Sequence, residues 1–319
     1  MHYRRLGRSG LKVSEISLGA WVTFGSQVDE KKAADLIHAA YDNGVNYFDN
    51  ADMYGGGVAE TLMGLAIRDI QRETIVISSK VFWPTMPGPN GRGLSRKHIV
   101  ESAHASLRRL GLDYIDLYFC HRYDPDTPVE EVVFTMNDLI RQGKILYWGT
   151  SEWEPHQIME AVGAASALNL VGPTMEQPHY NLLHRRRVEN FLTPLCRDKG
   201  IGLTVFSPLE QGILTGKYND GFPAGSRATM ESMAWMRDQI TPEKISIVRQ
   251  LTTLAGELGC TPSQLAIAWI LRRKEVSSVI TGATSMEQLD ENIAAANYGE
   301  KLTDDLLERI EQILGNFPE

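Results

Sequence analysis

Four ionisable residues of different types stand at or just after the ends of strand-like segments. Asp49 and Tyr54 lie in NYFDNADMYG, Lys80 ends IVISSK, and His121 ends IDLYFCH. Repeating strand–helix units bring such strand ends to one rim of a barrel. A carboxylate, a phenol, an amine and an imidazole gathered there can deliver a proton to a carbonyl oxygen, which indicates an enzyme.

Each side chain has a part in that chemistry. A phenol with a pKa near 10 is a poor acid–base catalyst at pH 7, and a nearby ammonium group such as that of Lys80 lowers the pKa of Tyr54. Asp49 would hold the lysine in place and charged, and a neutral His121 would orient the substrate by donating to its carbonyl oxygen. These groups suit proton transfer to the oxygen as hydride arrives at the carbonyl carbon. Because no side chain supplies hydride, the chemistry requires a nicotinamide cofactor.

Taken singly, these residues also have structural interpretations. Asp49 can cap a strand end, Tyr54 can pack in a loop, Lys80 can lie on the surface, and His121 can be a structural histidine. Alternation along the strand places Cys120 on the face opposite His121, which predicts an inert core thiol there. The joint placement of all four residues at strand ends favours the catalytic interpretation.

Eight strand-like runs alternate with segments of helical period, after a hairpin over 3–6 and 11–13. The runs span residues 16–18, 46–49, 74–80, 115–121, 145–151, 173–177, 202–209 and 277–282. Alternating strands and helices predict a parallel sheet, and eight repeats favour a closed (β/α)8 TIM barrel formed by one domain over residues 1–319. Asp29, Ser95 and Thr261 are the predicted N-caps of three of the helices.

A doubly wound open sheet is the competing architecture. It would normally carry a glycine-rich G-x-G-x-x-G turn after its first strand, which ISLGAWVTFG lacks. The segment GILTGK at 212–217 is a near miss for a P-loop, one residue short between its glycines and followed by Tyr218. Neither phosphate-binding motif is therefore predicted.

Composition excludes several classes of protein. The chain has 319 residues, 43% of them hydrophobic, and a net charge of −8, which allows a large core and makes nucleic acid an unexpected partner. The basic runs 185–187 and 272–274 are predicted to be solvated helix faces. Three scattered cysteines form no disulfide framework or metal spacing. With no signal peptide and no long apolar window, we expect a cytoplasmic protein without membrane insertion.

Beyond these patterns, the chain resembles the aldo-keto reductases over essentially its full length. The branch it most resembles is that of the β-subunits of voltage-gated potassium channels and their microbial relatives. The resemblance rests on WVTFGSQ, GLSRKHIVES, PDTPVEE, YWGTSEW, SPLEQGILTGKY, LGCTPSQLAIAW, GATSMEQLDENI and ILGNFPE. It implies a (β/α)8 barrel, bound NADPH, a small-molecule carbonyl substrate, and Asp49, Tyr54, Lys80 and His121 as the catalytic tetrad.

The resemblance also implies a set of cofactor contacts at the strand ends. They are Ala20, Trp21, Gln27, Asp49, Ser151, Gln177, Phe206, Ser207, Pro208, Leu209, Gln211, Gly212, Lys217, Arg227, Gly282, Thr284, Gln288, Glu291 and Asn292. Phe206 matches an aromatic position that stacks on the nicotinamide ring. A helix N-terminus together with Lys217 and Arg227 suits an additional phosphate, so the expected cofactor is NADPH/NADP+ rather than NADH.

The expected substrate pocket combines catalytic and aromatic residues, Trp21, Tyr54, Trp83 and His121, because aromatic walls suit such sites. Trp153 is a further candidate for the pocket wall, and packing is the equal alternative for each of the tryptophans. The identity of the aldehyde or ketone cannot be read from the sequence.

Two departures from the channel branch bear on function. His121 stands where the channel β-subunits carry Asn, which favours catalysis over sensing alone, and Glu152 stands where the branch commonly has Arg and is expected to face solvent. Three hypotheses follow: an NADPH-dependent carbonyl reductase, an NADP(H)-binding redox sensor associated with a channel, and a barrel of another class such as an isomerase. The resemblance further implies a homotetramer, and a channel partner has no additional support in the sequence.

Overall fold

Parallel strands close into a barrel in the computed structural model, which describes residues 1–25 and 27–315. The barrel strands are β3 (Ile16–Gly19), β4 (Tyr47–Asp49), β5 (Val76–Val81), β6 (Ile115–Cys120), β7 (Ile145–Ser151), β8 (Met175–Gln177), β9 (Gly202–Val205) and β10 (Val276–Thr281). Each strand pairs with the next in sequence, and β10 closes the ring by pairing with β3. The predicted (β/α)8 TIM barrel is confirmed.

An antiparallel hairpin of β1 (Tyr3–Arg5) and β2 (Lys12–Ser14) precedes the barrel, as predicted. It lies at the end of the barrel where the strands begin. The amide of Arg8 donates to the carbonyl oxygen of Gly200 at 2.8 Å, and the Ser277 hydroxyl donates to that of Arg5 at 2.9 Å. Leu6 and Val13 are fully buried with the side chains of the barrel interior, so the hairpin covers this end.

Helices surround the barrel and follow its strands. They are α1 (Glu30–Asp42), α2 (Val58–Ala66), α3 (Arg96–Leu110), α4 (Val129–Arg141), α5 (Pro155–Ala167), α6 (Thr193–Lys199), α7 (Met236–Gln239), α8 (Pro242–Glu257), α9 (Pro262–Leu271), α10 (Met286–Ala294) and α11 (Asp304–Leu314). Asp29, Ser95 and Thr261 cap α1, α3 and α9 through their side chains, as predicted. In the described ranges, every helix is too short or too polar to span a membrane.

Strand alternation separates the core into an interior and an outer layer. Leu117 and Phe119 of β6 belong to the small apolar cluster inside the barrel, whereas Tyr118 and Cys120 pack in the large cluster that includes the helices. Because side chains alternate with period two, His121 falls on the interior side. The prediction that Cys120 is a core thiol is confirmed, and burial raises the pKa of that thiol.

Several strand boundaries differ from the prediction. β9 ends at Val205 and not at residue 209, because Ser207, Glu210 and Gln211 have φ angles of 51°, 44° and 56°, which a strand cannot include. β5 begins at Val76, after a short 3-10 turn. The loop after β9 therefore starts earlier than the apolar pattern indicates and has a strained backbone.

The interpretation of the basic runs as solvated helix faces holds for the exposed Arg186 and Lys274 and is wrong for the other members of the runs. Arg185 is buried and pairs with Glu189 at 2.8 Å and with Glu311 at 2.6 Å. Arg272 and Arg273 reach the same Glu189 carboxylate at 3.1 and 3.0 Å. These arginines tie α9 and α11 to the segment before α6, so they serve the outer packing of the barrel.

Candidate active site

The ammonium group of Lys80 is the centre of a buried polar cluster at the carboxyl ends of β4 and β5. Its Nζ donates to Oδ2 of Asp49 at 2.6 Å, to the backbone oxygen of Asn50 at 2.7 Å, and to the hydroxyl of Tyr54 at 3.2 Å. Lys80 is fully buried. The fold thus brings together three residues that the strand-end pattern selected.

The second carboxylate oxygen of Asp49 is also held. Its Oδ1 accepts hydrogen bonds from the hydroxyls of Ser78 at 2.7 Å and Tyr47 at 3.3 Å, and from Nε2 of Gln177 at 3.0 Å. A buried carboxylate is tolerated only when it is paired and hydrogen-bonded in this way. Asp49 is therefore fixed in one orientation toward Lys80.

Burial and charge act in opposite directions on the two proton-bearing groups. Burial disfavours the ammonium form of Lys80, but the charges of Asp49 and Tyr54 outweigh it and raise the lysine pKa. For Tyr54, burial raises the pKa of the phenol, and the opposing charge of Lys80 does not fully offset this effect. The predicted net lowering of the Tyr54 pKa is wrong, because desolvation is the larger effect, although Lys80 acts in the predicted direction.

His121 follows β6 and faces Tyr54 across the interior. The two ring centroids are 5.9 Å apart in an edge-to-face arrangement, and the Trp83 ring lies 6.3 Å from the imidazole. Burial, followed by the charges of Lys80 and Arg122, holds the pKa of His121 well below its usual range. The imidazole is therefore neutral at physiological pH, with a buried Nδ1 that has no partner in the described structure.

A cavity of about 740 Å³ opens beside this cluster at the carboxyl ends of the strands. Predicted site residues that line it are Trp21, Gln27, Asp49, Tyr54, Trp83, His121, Ser151, Gln177, Phe206, Ser207, Pro208, Leu209, Gln211, Gly212, Lys217, Arg227, Gly282, Thr284, Gln288, Glu291 and Asn292. Lys80 is fully buried and does not itself line the cavity. Ala20 is buried, and its amide donates to the backbone oxygen of Asp49 at 2.9 Å. Trp153 packs edge-on against Tyr123 in the core.

Several lining residues were not selected from the sequence. They are Gly19, Thr23, Met53, Arg122, Thr215, Pro223, Ala224, Gly225, Ser226, Ser263, Ile280 and Thr281. Adjacency gives a signal for two of them, since Met53 precedes Tyr54 and Arg122 follows His121. The segment 223–226 belongs to the loop 222–235, which was expected to shape the pocket, but without a periodic pattern the sequence does not indicate which of its residues reach the cavity.

Lys217 and Arg227, at the cavity wall, are cations with no acidic partner in the described ranges. The pKa of Lys217 is lowered by burial and by the nearby charge of Arg227. Burial also lowers the pKa of Arg227. A Cβ at Gly212, whose φ is 101°, would come within 2.7 Å of Nζ of Lys217. Partly buried positive charge without a counterion is suited to an anionic ligand such as a phosphate group.

A second polar group anchors the loop that follows β9. The Glu210 carboxylate contacts Nε2 of His179 at 2.9 Å, Nδ2 of Asn181 at 2.7 Å and Nζ of Lys244 at 3.2 Å. Burial opposes ionisation, but His179 above all lowers the pKa of Glu210 to about 2. The His179 ring also stacks on Phe206, with centroids 5.2 Å apart. One side of Phe206 is thus supported by protein, and Phe206 also lines the cavity.

The expectation that Glu152 faces solvent is wrong. Its carboxylate pairs with Arg187 at 3.0 Å and accepts the backbone N–H of His179 at 2.7 Å. Arg187 reaches Glu176 as well, at 3.3 Å. A basic residue distant in sequence therefore satisfies the acid that follows Ser151.

Comparisons with known proteins match the chain over nearly its whole length. The Aldo/keto reductase family model matches residues 15–315. A protein of Arabidopsis thaliana named "Probable voltage-gated potassium channel subunit beta" is 51% identical over 322 residues, covering 100% of this chain and 98% of the relative. A rice protein (Oryza sativa subsp. japonica) with the same name is 49% identical, with the same coverage. A Schizosaccharomyces pombe protein with a corresponding channel-subunit name is 46% identical, covering 99% of this chain and 94% of the relative.

Proposed function

The chain belongs to the aldo/keto reductase family, and from this premise we propose that it is an NADPH-dependent reductase converting aldehydes or ketones to alcohols. The observation that carries the proposal is the contact of Lys80 with both Asp49 and Tyr54 beside the cavity. This arrangement supports the proposal, because a phenol, a fixed positive charge and a neutral imidazole lie close together beside the cavity.

Tyr54 is the proposed proton donor. Its hydroxyl releases a proton to the carbonyl oxygen, and the ammonium group of Lys80, 3.2 Å away, stabilises the phenolate that remains. Asp49 keeps Lys80 charged and fixed during this transfer. Neutral His121 donates a hydrogen bond to the same carbonyl oxygen and orients the substrate.

The residues present also fit a nicotinamide dinucleotide phosphate. When bound, NADPH supplies the hydride that reduces the carbonyl carbon. Phe206, supported by His179, would stack on the nicotinamide ring, and Ser151 and Gln177 would hold its amide group. The unpaired cations Lys217 and Arg227 suit phosphate groups, and we propose NADPH over NADH because its additional phosphate is a further anionic group for them to bind.

A second candidate function is an NADP(H)-binding, redox-sensing subunit of a potassium channel, which the names of the relatives favour. The neutral His121 and the complete Asp49–Lys80–Tyr54 cluster support turnover instead. A cytoplasmic location and a homotetramer belong to either proposal. Light scattering of the purified protein would test the tetramer by its mass.

The test is NADPH oxidation with a panel of aldehydes and ketones, measured by nicotinamide absorbance. We expect multiple turnover in the native protein and a loss of about 10²- to 10⁴-fold in Tyr54→Phe, because general acid catalysis contributes this much. Tyr41→Phe is the matched control, since it removes an exposed hydroxyl from α1. Normal turnover in Tyr54→Phe would exclude this tyrosine as the acid, and NADPH binding without turnover would favour the sensor.

A further inference from the structure

Arg122 places an unpaired positive charge at the catalytic end of the cavity. It lines the cavity immediately after His121, and its guanidinium carbon lies 5.6 Å from the centroid of the Trp83 ring. One N–H donates to the backbone oxygen of His121. A guanidinium has five N–H donors and stays charged at any physiological pH, so donors remain for a ligand.

The acidic groups nearby are engaged elsewhere. Within residues 1–25 and 27–315, Arg122 forms no ion pair with a carboxylate. Asp124, two residues along the chain, accepts hydrogen bonds from the amides of Leu94 and Asp126 and from the hydroxyl of Thr127. Asp49 is already matched with Lys80. The charge of Arg122 is therefore uncompensated within the site.

Arg122 is separate from the cations suited to the cofactor. Arg227 lies over the Trp21 ring, with its guanidinium carbon 6.0 Å from the centroid, and its charge acts on Lys217. Arg122 instead lies over Trp83 and acts on His121 and Tyr54, after the larger effects of burial and Lys80 on their pKa values. Its charge is thus felt where the carbonyl oxygen would bind.

We propose that Arg122 forms an anion subsite that selects carbonyl substrates carrying a carboxylate or phosphate group a few bonds from the carbonyl. The inference rests on the proposed reductase function and names its substrate class. The planar guanidinium matches either anion through two parallel hydrogen bonds. Trp21, Trp83 and Met53 supply apolar walls for the short carbon segment between the anion and the carbonyl.

The first experiment compares kcat/KM for anionic and neutral partners. The pairs are 4-oxobutanoate with its methyl ester, and glyceraldehyde 3-phosphate with glyceraldehyde. We expect the native protein to prefer the anion in at least one pair and Arg122→Met to reduce that anion-to-neutral ratio about 10- to 100-fold, since charge-assisted hydrogen bonds are lost. The pair that responds distinguishes carboxylate from phosphate, and Arg122→Lys should restore part of the ratio.

Arg92→Met is the matched control. Arg92 is also an arginine over an aromatic ring, 5.7 Å from the centroid of Phe82, but it does not line the cavity. Its substitution should leave the anion-to-neutral ratio unchanged. A native protein without anion preference, or an Arg122→Met variant in which anion and neutral partner lose rate equally, would overturn the inference and leave the reductase function intact.

A binding measurement separates the two proposals. Calorimetry with butanedioate and with inorganic phosphate, in the presence of NADP+, should detect binding of at least one anion to the native protein and its loss in Arg122→Met. If no carbonyl is turned over, the reductase proposal fails, while Arg122-dependent binding would still support the anion subsite. Absence of anion binding, or binding that is unchanged in Arg122→Met, would overturn the subsite.

Discussion

The hydroxyl of Tyr54 and the ammonium group of Lys80 are 3.2 Å apart in a setting from which solvent is almost wholly excluded. Burial raises the pKa of the phenol, and the charge of Lys80 opposes that rise. In the proposed reaction the phenol of Tyr54 would therefore stay protonated until a substrate takes its proton, and Lys80 would stabilise the resulting phenolate.

Removal of Lys80 alone is expected to impair both stability and turnover. Lys80→Met leaves Asp49 as an unpaired buried carboxylate, which lowers the free energy of unfolding by about 3–5 kcal/mol. The double variant Asp49→Asn/Lys80→Met should recover part of that stability without recovering activity. Urea unfolding and NADPH oxidation measure the two effects. A double variant as unstable as the sum of the single variants would contradict the coupling.

Neutral His121 predicts a flat pH profile for carbonyl reduction. Its pKa lies well below the usual value of about 6.5, and the pKa of Tyr54 lies above about 10. Between about pH 6.5 and pH 9 both groups keep the protonation states that the proposed reaction would need, so kcat/KM should not change with pH there through either of them. The measurement is kcat/KM against pH with a neutral aldehyde. A midpoint near pH 6.5 that is absent in His121→Asn would contradict the neutral imidazole.

Replacement of the Asp52 carboxyl by a neutral amide is expected to stabilise the folded protein by an amount that depends on pH. Burial raises the pKa of its carboxyl to about 7, despite a hydrogen bond from Ser102, and Oδ1 has no partner among the described residues. The folded state thus binds a proton that the unfolded state has lost above about pH 4, so this group's contribution to stability falls as pH rises from about 4 to 7.

Asp52→Asn should therefore match the native protein near pH 4 and exceed it at pH 8 by about 2–4 kcal/mol. Urea unfolding at both pH values measures the difference. Asp126→Asn, at an exposed position, is the control and should show no such change between the two pH values. Equal stability of native and Asp52→Asn proteins at pH 8 would mean that the carboxylate is well accommodated.

Substitution of Lys217 is expected to weaken cofactor binding without lowering the stability of the cofactor-free protein. It has no acidic partner in the described chain and is repelled by Arg227, so Lys217→Met should not lower the melting temperature of the cofactor-free protein. The same change should weaken NADPH binding about tenfold or more, because a charge-assisted phosphate contact is lost. Thermal melting with and without NADPH reports both effects, and Lys31→Met, at an exposed position of α1, is the control. Unchanged stabilisation by NADPH would exclude the contact.

The sequence predicts the barrel well because its strand and helix periods are local. Polar residues at strand ends needed no distance information either, since parallel strands bring their carboxyl ends together. Asp49, Lys80 and His121 could therefore be selected as one group, and the caps Ser95 and Thr261 follow from residue types alone.

The features that the sequence could not predict depend on contacts between distant residues or on which of two opposing energetic effects is larger. Glu152 and Arg187 are far apart in the chain, so their ion pair leaves no local pattern. Positive φ angles at Ser207 and Gln211 arise at non-glycine residues, where propensity predicts none. The direction of the Tyr54 pKa shift depends on whether burial exceeds the effect of Lys80, and burial is known only from the fold.

The hairpin at the start of the chain has a practical consequence for handling the protein. Leu6 and Val13 close the end of the barrel where the strands begin. The cavity opens at the opposite end, beside His121 and Phe206. The proposed cofactor and substrate would then enter and leave through the cavity opening, at the end of the barrel opposite the hairpin. If the protein were attached to a solid support through the hairpin, the cavity opening would face outward, away from the attachment.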